Sequence, residues 1–135
     1  MNDEQSKRLS DAADAVIQAN DALEEARDAV NDKRFDSEQE RDRLSAAQQM
    51  SSKLDNAGKR IDDAVRKGTI ASATLARPGA YARFKDATAA AREGRALGKS
   101  ANDVDGTANK RARGQEALDK LDAALTAASI IVFGE

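Results

Sequence analysis

Residues 9–30 read LSDAADAVIQANDALEEARDAV, and the spacing inside this stretch decides the fold. Leu9, Val16, Leu23 and Val30 stand seven apart, and Ala12, Ala19 and Ala26 each follow three residues after one of the first three. A seven-residue apolar repeat keeps one narrow stripe of a helix turned toward a partner helix, and alanine at every second seam position lets the two backbones approach closely. The spacing therefore predicts a helix with a seam, and the same register continues through Leu44, Ala47, Leu54, Ile61 and Val65.

Between Asn31 and Arg43 the seam loses its apolar content: its positions become Lys33, Ser37 and Glu40, and nine of the thirteen residues are charged. Two structures fit this interruption, a single helix of more than fifty residues with a polar belt, or two antiparallel helices meeting near Phe35. Residue size favours the second. A fold at residue 35 sets Leu9 opposite Ile61, Val16 opposite Leu54, Ala12 opposite Gly58 and Ala19 opposite Ser51, large against large and small against small. Ser37 and Glu40 have the spacing of a capping box for the second helix, and each arm would be ~40 Å long at the α-helical rise.

Lys67 followed by Gly68 reads as a helix stop, and residues 68–77 then read as a loop. A third helix is expected to open at Pro78, where a first-turn proline sacrifices no hydrogen bond. It runs to about Leu97 with Tyr81, Phe84, Thr88 and Ala91 on one face, so that Tyr81 and Phe84 are expected in the core, and Gly94 and Gly98 weaken its end. After a polar connector over Lys99–Thr107, a last helix from about Ala108 to Ser129 carries Leu118, Leu121, Leu125 and Ala128 at alternating spacings of three and four. The expectation is an all-α protein of one domain: an antiparallel coiled-coil hairpin over 1–67, a loop over 68–77, two shorter helices over 78–129 completing a small bundle, and an apolar tail over 130–135. The 135 residues, rich in alanine and 34% charged, with Tyr81 and three phenylalanines as the aromatics, suit that class.

Composition also excludes chemistry. The chain has no cysteine and no histidine, which removes thiolate metal sites, disulfides, and the commonest general base and transition-metal ligand. GRALGKS at 94–100 is similar to part of a phosphate-binding loop, but only three residues separate Gly94 from Gly98 where the motif needs four, and no buried strand precedes it. Asp103, Asp105 and Gly106 have the look of a calcium loop whose first and twelfth positions would be Ala101 and Ala112, so both anchoring carboxylates are missing. The expectation is a protein that is not an enzyme, with no cofactor, no metal and no small-molecule substrate. A polar, acidic start without an apolar stretch, and no apolar run long enough to span a bilayer, predict a soluble protein, cytoplasmic or assembled into a particle or apparatus after cytoplasmic synthesis.

Two features carry functional content. The formal net charge of −2 conceals an asymmetry: residues 1–65 hold ten Lys/Arg against sixteen Asp/Glu, and residues 66–113 hold eleven against four. In the basic part, Arg77, Arg83, Lys85, Arg92, Arg95, Lys99, Lys110, Arg111 and Arg113 surround Tyr81 and Phe84, a pattern that meets nucleic acid or pairs with the acidic hairpin. The second feature is the run Ile130, Ile131, Val132 and Phe133. Four consecutive bulky apolar residues cannot share one helical face, so they either close the end of their own bundle or dock on a partner. The first expectation of function is a structural or assembly protein that binds a protein partner or itself within a larger oligomer, a shape that suits a bacteriophage virion or assembly component or a secretion accessory. The alternative is a nucleic-acid-binding accessory protein acting through 77–113.

Overall fold

The computed structural model describes residues 2–74 and 79–134. Four helices form there: α1 (Asp3–Val30), α2 (Glu40–Thr74), α3 (Ala80–Ser100) and α4 (Thr107–Phe133), with a short 3-10 turn over Lys33–Asp36 between the first two and no strand among the described residues. Residues from all four helices meet in one hydrophobic core built largely of alanine, with Leu23, Met50, Leu54, Ile61 and Leu121 as its large, fully buried members. Each such side chain contributes about 1.5–3 kcal/mol by leaving water, while the alanines between them let the helix axes come close.

The all-α bundle and its N-terminal antiparallel hairpin are present as expected. The most extensive pairing is α1 with α2, followed by α3 with α4. Both α2 and α4 touch every other helix, whereas α1 and α3 do not touch one another among the described residues. The cross-section is a rhombus with α2 and α4 on its short diagonal. Contacts of Glu25 with Lys53 and Gln18 with Arg60, of Ser51 with Gly98 and Asp62 with Arg95, and of Gly94 with Leu121 and Gly98 with Ala117 make each helix antiparallel to the one before it, so one end of the bundle gathers the start of α1, the end of α2, the start of α3 and the end of α4.

The ends of α1 follow from local chemistry. Asn2 and Gln5 form a reciprocal cap, with Gln5 N donating to Asn2 Oδ1 at 2.8 Å and Asn2 N donating to Gln5 Oε1 at 2.9 Å. At the other end the Asn31 amide donates to the Arg27 carbonyl at 3.0 Å, and the chain enters the 3-10 turn. There Asp32 Oδ1 accepts from Arg34 N at 2.9 Å and Asp32 Oδ2 accepts from Arg34 Nη2 at 2.7 Å. Arg34 reaches on to Ser45 Oγ and Gln49 Oε1 at 3.1 and 2.6 Å, which pins the turn to α2 over the buried ring of Phe35.

Four expectations are corrected. First, the hairpin register differs. Lys53 Nζ meets Glu25 Oε1 at 3.3 Å and Arg60 Nη1 meets Gln18 Oε1 at 3.1 Å, whereas a fold about residue 35 puts Ser45 and Ser52 at those levels. The reversal over 31–39 runs back beside α2 instead of closing tightly, so the first turns of α2 pass beyond the end of α1. Leu44 is consequently 42% exposed and is not a seam residue, and Leu9 is only partly buried, while Ala12, Val16, Ala19, Leu23, Ala26, Val30, Leu54, Ile61 and Val65 are all buried. Gly58 and Ser51 do not face α1: a Cβ on Gly58 would run into the Arg95 side chain, and Ser51 Oγ meets the Gly98 carbonyl of α3 at 3.4 Å.

Second, Ser37 and Glu40 form no capping box. Ser37 Oγ accepts from Gln39 N at 3.2 Å and donates to Asp42 Oδ2 at 2.9 Å, and α2 opens at Glu40 itself. Third, Gly68 does not stop the helix, and 68–74 is not loop, because α2 continues to Thr74. Gly68 is buried, and a Cβ there would lie 3.0 Å from Val132 Cγ2 and 3.2 Å from Ile131 Cγ2, so the glycine admits the end of α4. Gly94 and Gly98 likewise sit inside α3 and let α4 and α2 approach. Fourth, α4 does not end at Ser129. It runs to Phe133, so the apolar tail is its last turn. The expected opening of the third helix at Pro78 lies outside the described residues, and α3 begins at Ala80.

Candidate interaction surfaces

The run Ile130–Phe133 divides by helical geometry. Ile131 and Val132 are buried, the latter against Gly68 of α2, Ile130 is half-buried, and Phe133 is 60% exposed. Three of the four therefore close their own bundle to differing degrees, and Phe133 alone faces solvent. The chain then leaves the helix at Gly134, whose φ of 80° is readily adopted only by glycine and whose N–H donates to the Ile130 carbonyl at 2.8 Å.

At the same end stands Tyr81, expected in the core but 74% exposed, with Lys85 Nζ 5.6 Å from its ring centroid. Its partner in that expectation, Phe84, is half-buried and packs against the core. Antiparallel α3 and α4 bring Gly94 beside Leu121 and Gly98 beside Ala117. The same register carries Tyr81 to the level of the last turn of α4, so the first turn of α3 and the last turn of α4 each present an aromatic ring at one end of the molecule.

The basic residues of the second half disperse. Arg95 lies across Gly58 and pairs with Asp62 of α2 at 2.5 Å. Lys110 Nζ donates to the Asn102 carbonyl at 2.6 Å, and Arg113 Nη1 donates to Ser100 Oγ at 3.0 Å, so both tie α4 to the end of α3 and its connector. Arg111 Nε donates to the Val30 carbonyl at 2.9 Å, and its guanidinium lies over the Phe35 ring, 5.3 Å from the centroid. Lys85, Arg92 and Lys99 are exposed on α3 at seven-residue intervals, and Arg83 is half-buried on the same helix. Arg77 lies outside the described residues.

At the opposite end, between the 3-10 turn and the first turns of α4, opens a cleft of about 580 Å³ that the sequence does not announce. Val30 and Phe35 form its floor, Thr107, Ala108, Ala112 and Gln115 of α4 one wall, and Arg43, Arg111 and Asp36 its rim. Arg111 Nη1 lies 3.9 Å from Asp36 Oδ1, and Arg43 Nη1 donates to the Ser37 carbonyl at 2.7 Å. Two guanidinium groups against one carboxylate leave the rim positive. Helix α4 adds to this, since its N-cap, Gly106, offers no side-chain acceptor and no acid stands in its first turn. The one available signal for this cleft in the sequence is Phe35 itself, a lone aromatic amid the charged residues 31–43.

Among the described residues no group of three carboxylates converges as a metal site would require, and no helix is long and apolar enough to cross a membrane. No model of a protein family matches the chain, and the searches of curated proteins and of solved structures found no match.

Proposed function

We propose that this chain is a non-enzymatic structural or assembly protein that works through protein–protein contact within a larger oligomer. One observation carries the reading: in a chain with four aromatic residues and an alanine core, Tyr81 and Phe133 face solvent at the same end of the bundle. Aromatic rings are the side chains with most to gain from burial and are enriched at the centres of interfaces. A rigid rod of four helices that spends two of its four rings on one end is suited to presenting that end to a partner. The shape fits a bacteriophage virion or assembly component, or a secretion accessory, by analogy of form alone.

A second reading rests on the exposed stripe Lys85, Arg92 and Lys99, which spans ~21 Å of α3 at the α-helical rise and has Tyr81 at its start. Such a stripe could follow the phosphates of a nucleic acid. Affinity capture of the tagged protein from its native source, with and without nuclease, separates the two. Protein partners that survive nuclease support assembly, whereas material lost to nuclease, with binding that falls steeply between low and moderate salt, supports the second reading.

A further inference from the structure

We propose that two copies of this chain pack side by side about a two-fold axis, each laying the C-terminal half of α4 antiparallel along the same half of the other. This inference rests on the assembly reading above and names its partner.

The surface is open and uncharged. Positions 123, 126, 130 and 133 recur at spacings of three and four, so Ala123, Thr126, Ile130 and Phe133 share one outward row of α4. Phe133 is 60% exposed, Ala123 and Thr126 are exposed, and Ile130 is half-buried. Residues 123–134 hold no charged side chain, in a chain that is 34% charged. Beside this row runs α1, where Ile17 is 56% exposed and lines one groove with Thr126. Arg27 and Asp122, 3.6 Å apart, keep the same antiparallel register further along, which brings the half-buried Ala13 level with Ile130.

The row is complementary to itself. An antiparallel two-fold that sets Phe133 of one copy opposite Ala123 of the other also sets Ile130 opposite Thr126, so each large side chain meets a small one, twice over by symmetry. On the flanking helix the same axis sets Ile17 opposite Ala13. Asp119 and Asp122, the acids just before the row, fall at or beyond Gly134 of the other copy, so neither carboxylate is buried. The contact covers a strip ~15 Å long and two helices, ~20 Å, wide on each copy. That footprint, on the order of 300 Å², is well under the ~800 Å² per partner of a stable interface, so the dimer exchanges with monomer.

Sedimentation velocity of the whole chain over a range on the order of 10 µM to 1 mM spans the affinities of so small a contact. The wild type is expected to rise from 14.4 kDa toward twice that mass and to stop there, because a two-fold contact closes on itself. Ala123→Phe alone sets two rings against each other in each half of the contact and is expected to weaken association about tenfold. Adding Phe133→Ala leaves one ring opposite one methyl again and is expected to return association to within about threefold of the wild type. Both positions are exposed, and circular dichroism with urea unfolding confirms that the variants keep the fold. Because the chain has no cysteine, Thr126→Cys carries a unique thiol near the axis and Ser52→Cys one on the exposed side of α2. A short bis-maleimide is expected to join copies of the first and not of the second. A wild type that stays monomeric throughout or grows beyond two copies, cysteine variants that cross-link alike, or an Ala123→Phe loss that Phe133→Ala does not relieve overturns the inference. If a monomeric wild type still captures nuclease-resistant partners, the assembly reading stands and the self-pairing alone has failed.

Discussion

Arg111 on α4 donates from Nε to the backbone carbonyl of Val30, the last residue of α1, at 2.9 Å across 81 positions of sequence. The carbonyls of a helix's last turn have no partners within the helix, so a cation there supplies a hydrogen bond and complements the negative end of the dipole. The same guanidinium covers the Phe35 ring. Arg111→Ala is therefore expected to destabilise the chain by about 1–3 kcal/mol, from a lost charged hydrogen bond and a lost cation–π contact. Arg111→Lys recovers less than half, because an ammonium cannot cover the ring and donate from the same position. Urea midpoints at unchanged slope check this.

Gly94 is expected to resist the substitution that helix propensity favours. Alanine in place of glycine within a helix ordinarily stabilises by about 1 kcal/mol. At this position a Cβ would lie 2.7 and 2.8 Å from Leu121 Cγ and Cδ2 and 3.2 Å from the Ala117 carbonyl oxygen. Gly94→Ala should thus destabilise by about 1–3 kcal/mol through overpacking. The exposed neighbour two positions on provides the contrast, since Ala96→Gly loses about 1 kcal/mol through propensity alone. Thermal unfolding of both variants measures the difference.

The shifted hairpin register makes two leucines of the predicted seam unequal. Leu54 is fully buried and Leu44 is 42% exposed. Leu54→Ala is expected to cost 2–5 kcal/mol, the usual range for emptying a core site, whereas Leu44→Ala stays within about 0.5 kcal/mol. Equal losses at the two positions, read from urea unfolding, would restore the fold about residue 35.

Acid should weaken the hairpin turn. Arg34 holds the Asp32 carboxyl below its ordinary 3.8, chiefly by its side-chain hydrogen bond and then by its backbone N–H. The unfolded chain then binds the proton more tightly than the folded one, so this contribution is complete above the unfolded value and disappears as pH falls through the lower folded value. Stability should drop between the ordinary carboxylate range and more acid pH in the wild type. In Asp32→Asn that part of the drop should be absent, with lower stability at neutral pH, as urea unfolding across acid pH would record.

What was legible in the sequence is the part written in periodicity. Val16, Leu23 and Leu121 lie on stripes that a helix can bury in one way only, and they are buried. Less legible were residues whose role depends on what crosses them. Gly68 after a lysine has the local grammar of a helix stop, and only the arrival of Ile131 and Val132 from the far end of the chain turns it into a packing site. Tyr81 has core-like spacing with Phe84, yet it stands in the first turns of α3 at the bundle's end, where the ring is 74% exposed. The cleft was invisible because Val30, Phe35 and Ala112 come together only when α4 packs on the hairpin turn.

The most direct test of the central claim is affinity capture of the tagged protein from its native source after nuclease treatment, run beside the Tyr81→Ser/Phe133→Ser double variant. The account predicts stoichiometric protein partners, untagged copies of the chain among them, retained through nuclease and lost in the variant. Recovery of equal partners by the variant, or of nothing that survives nuclease, would contradict it.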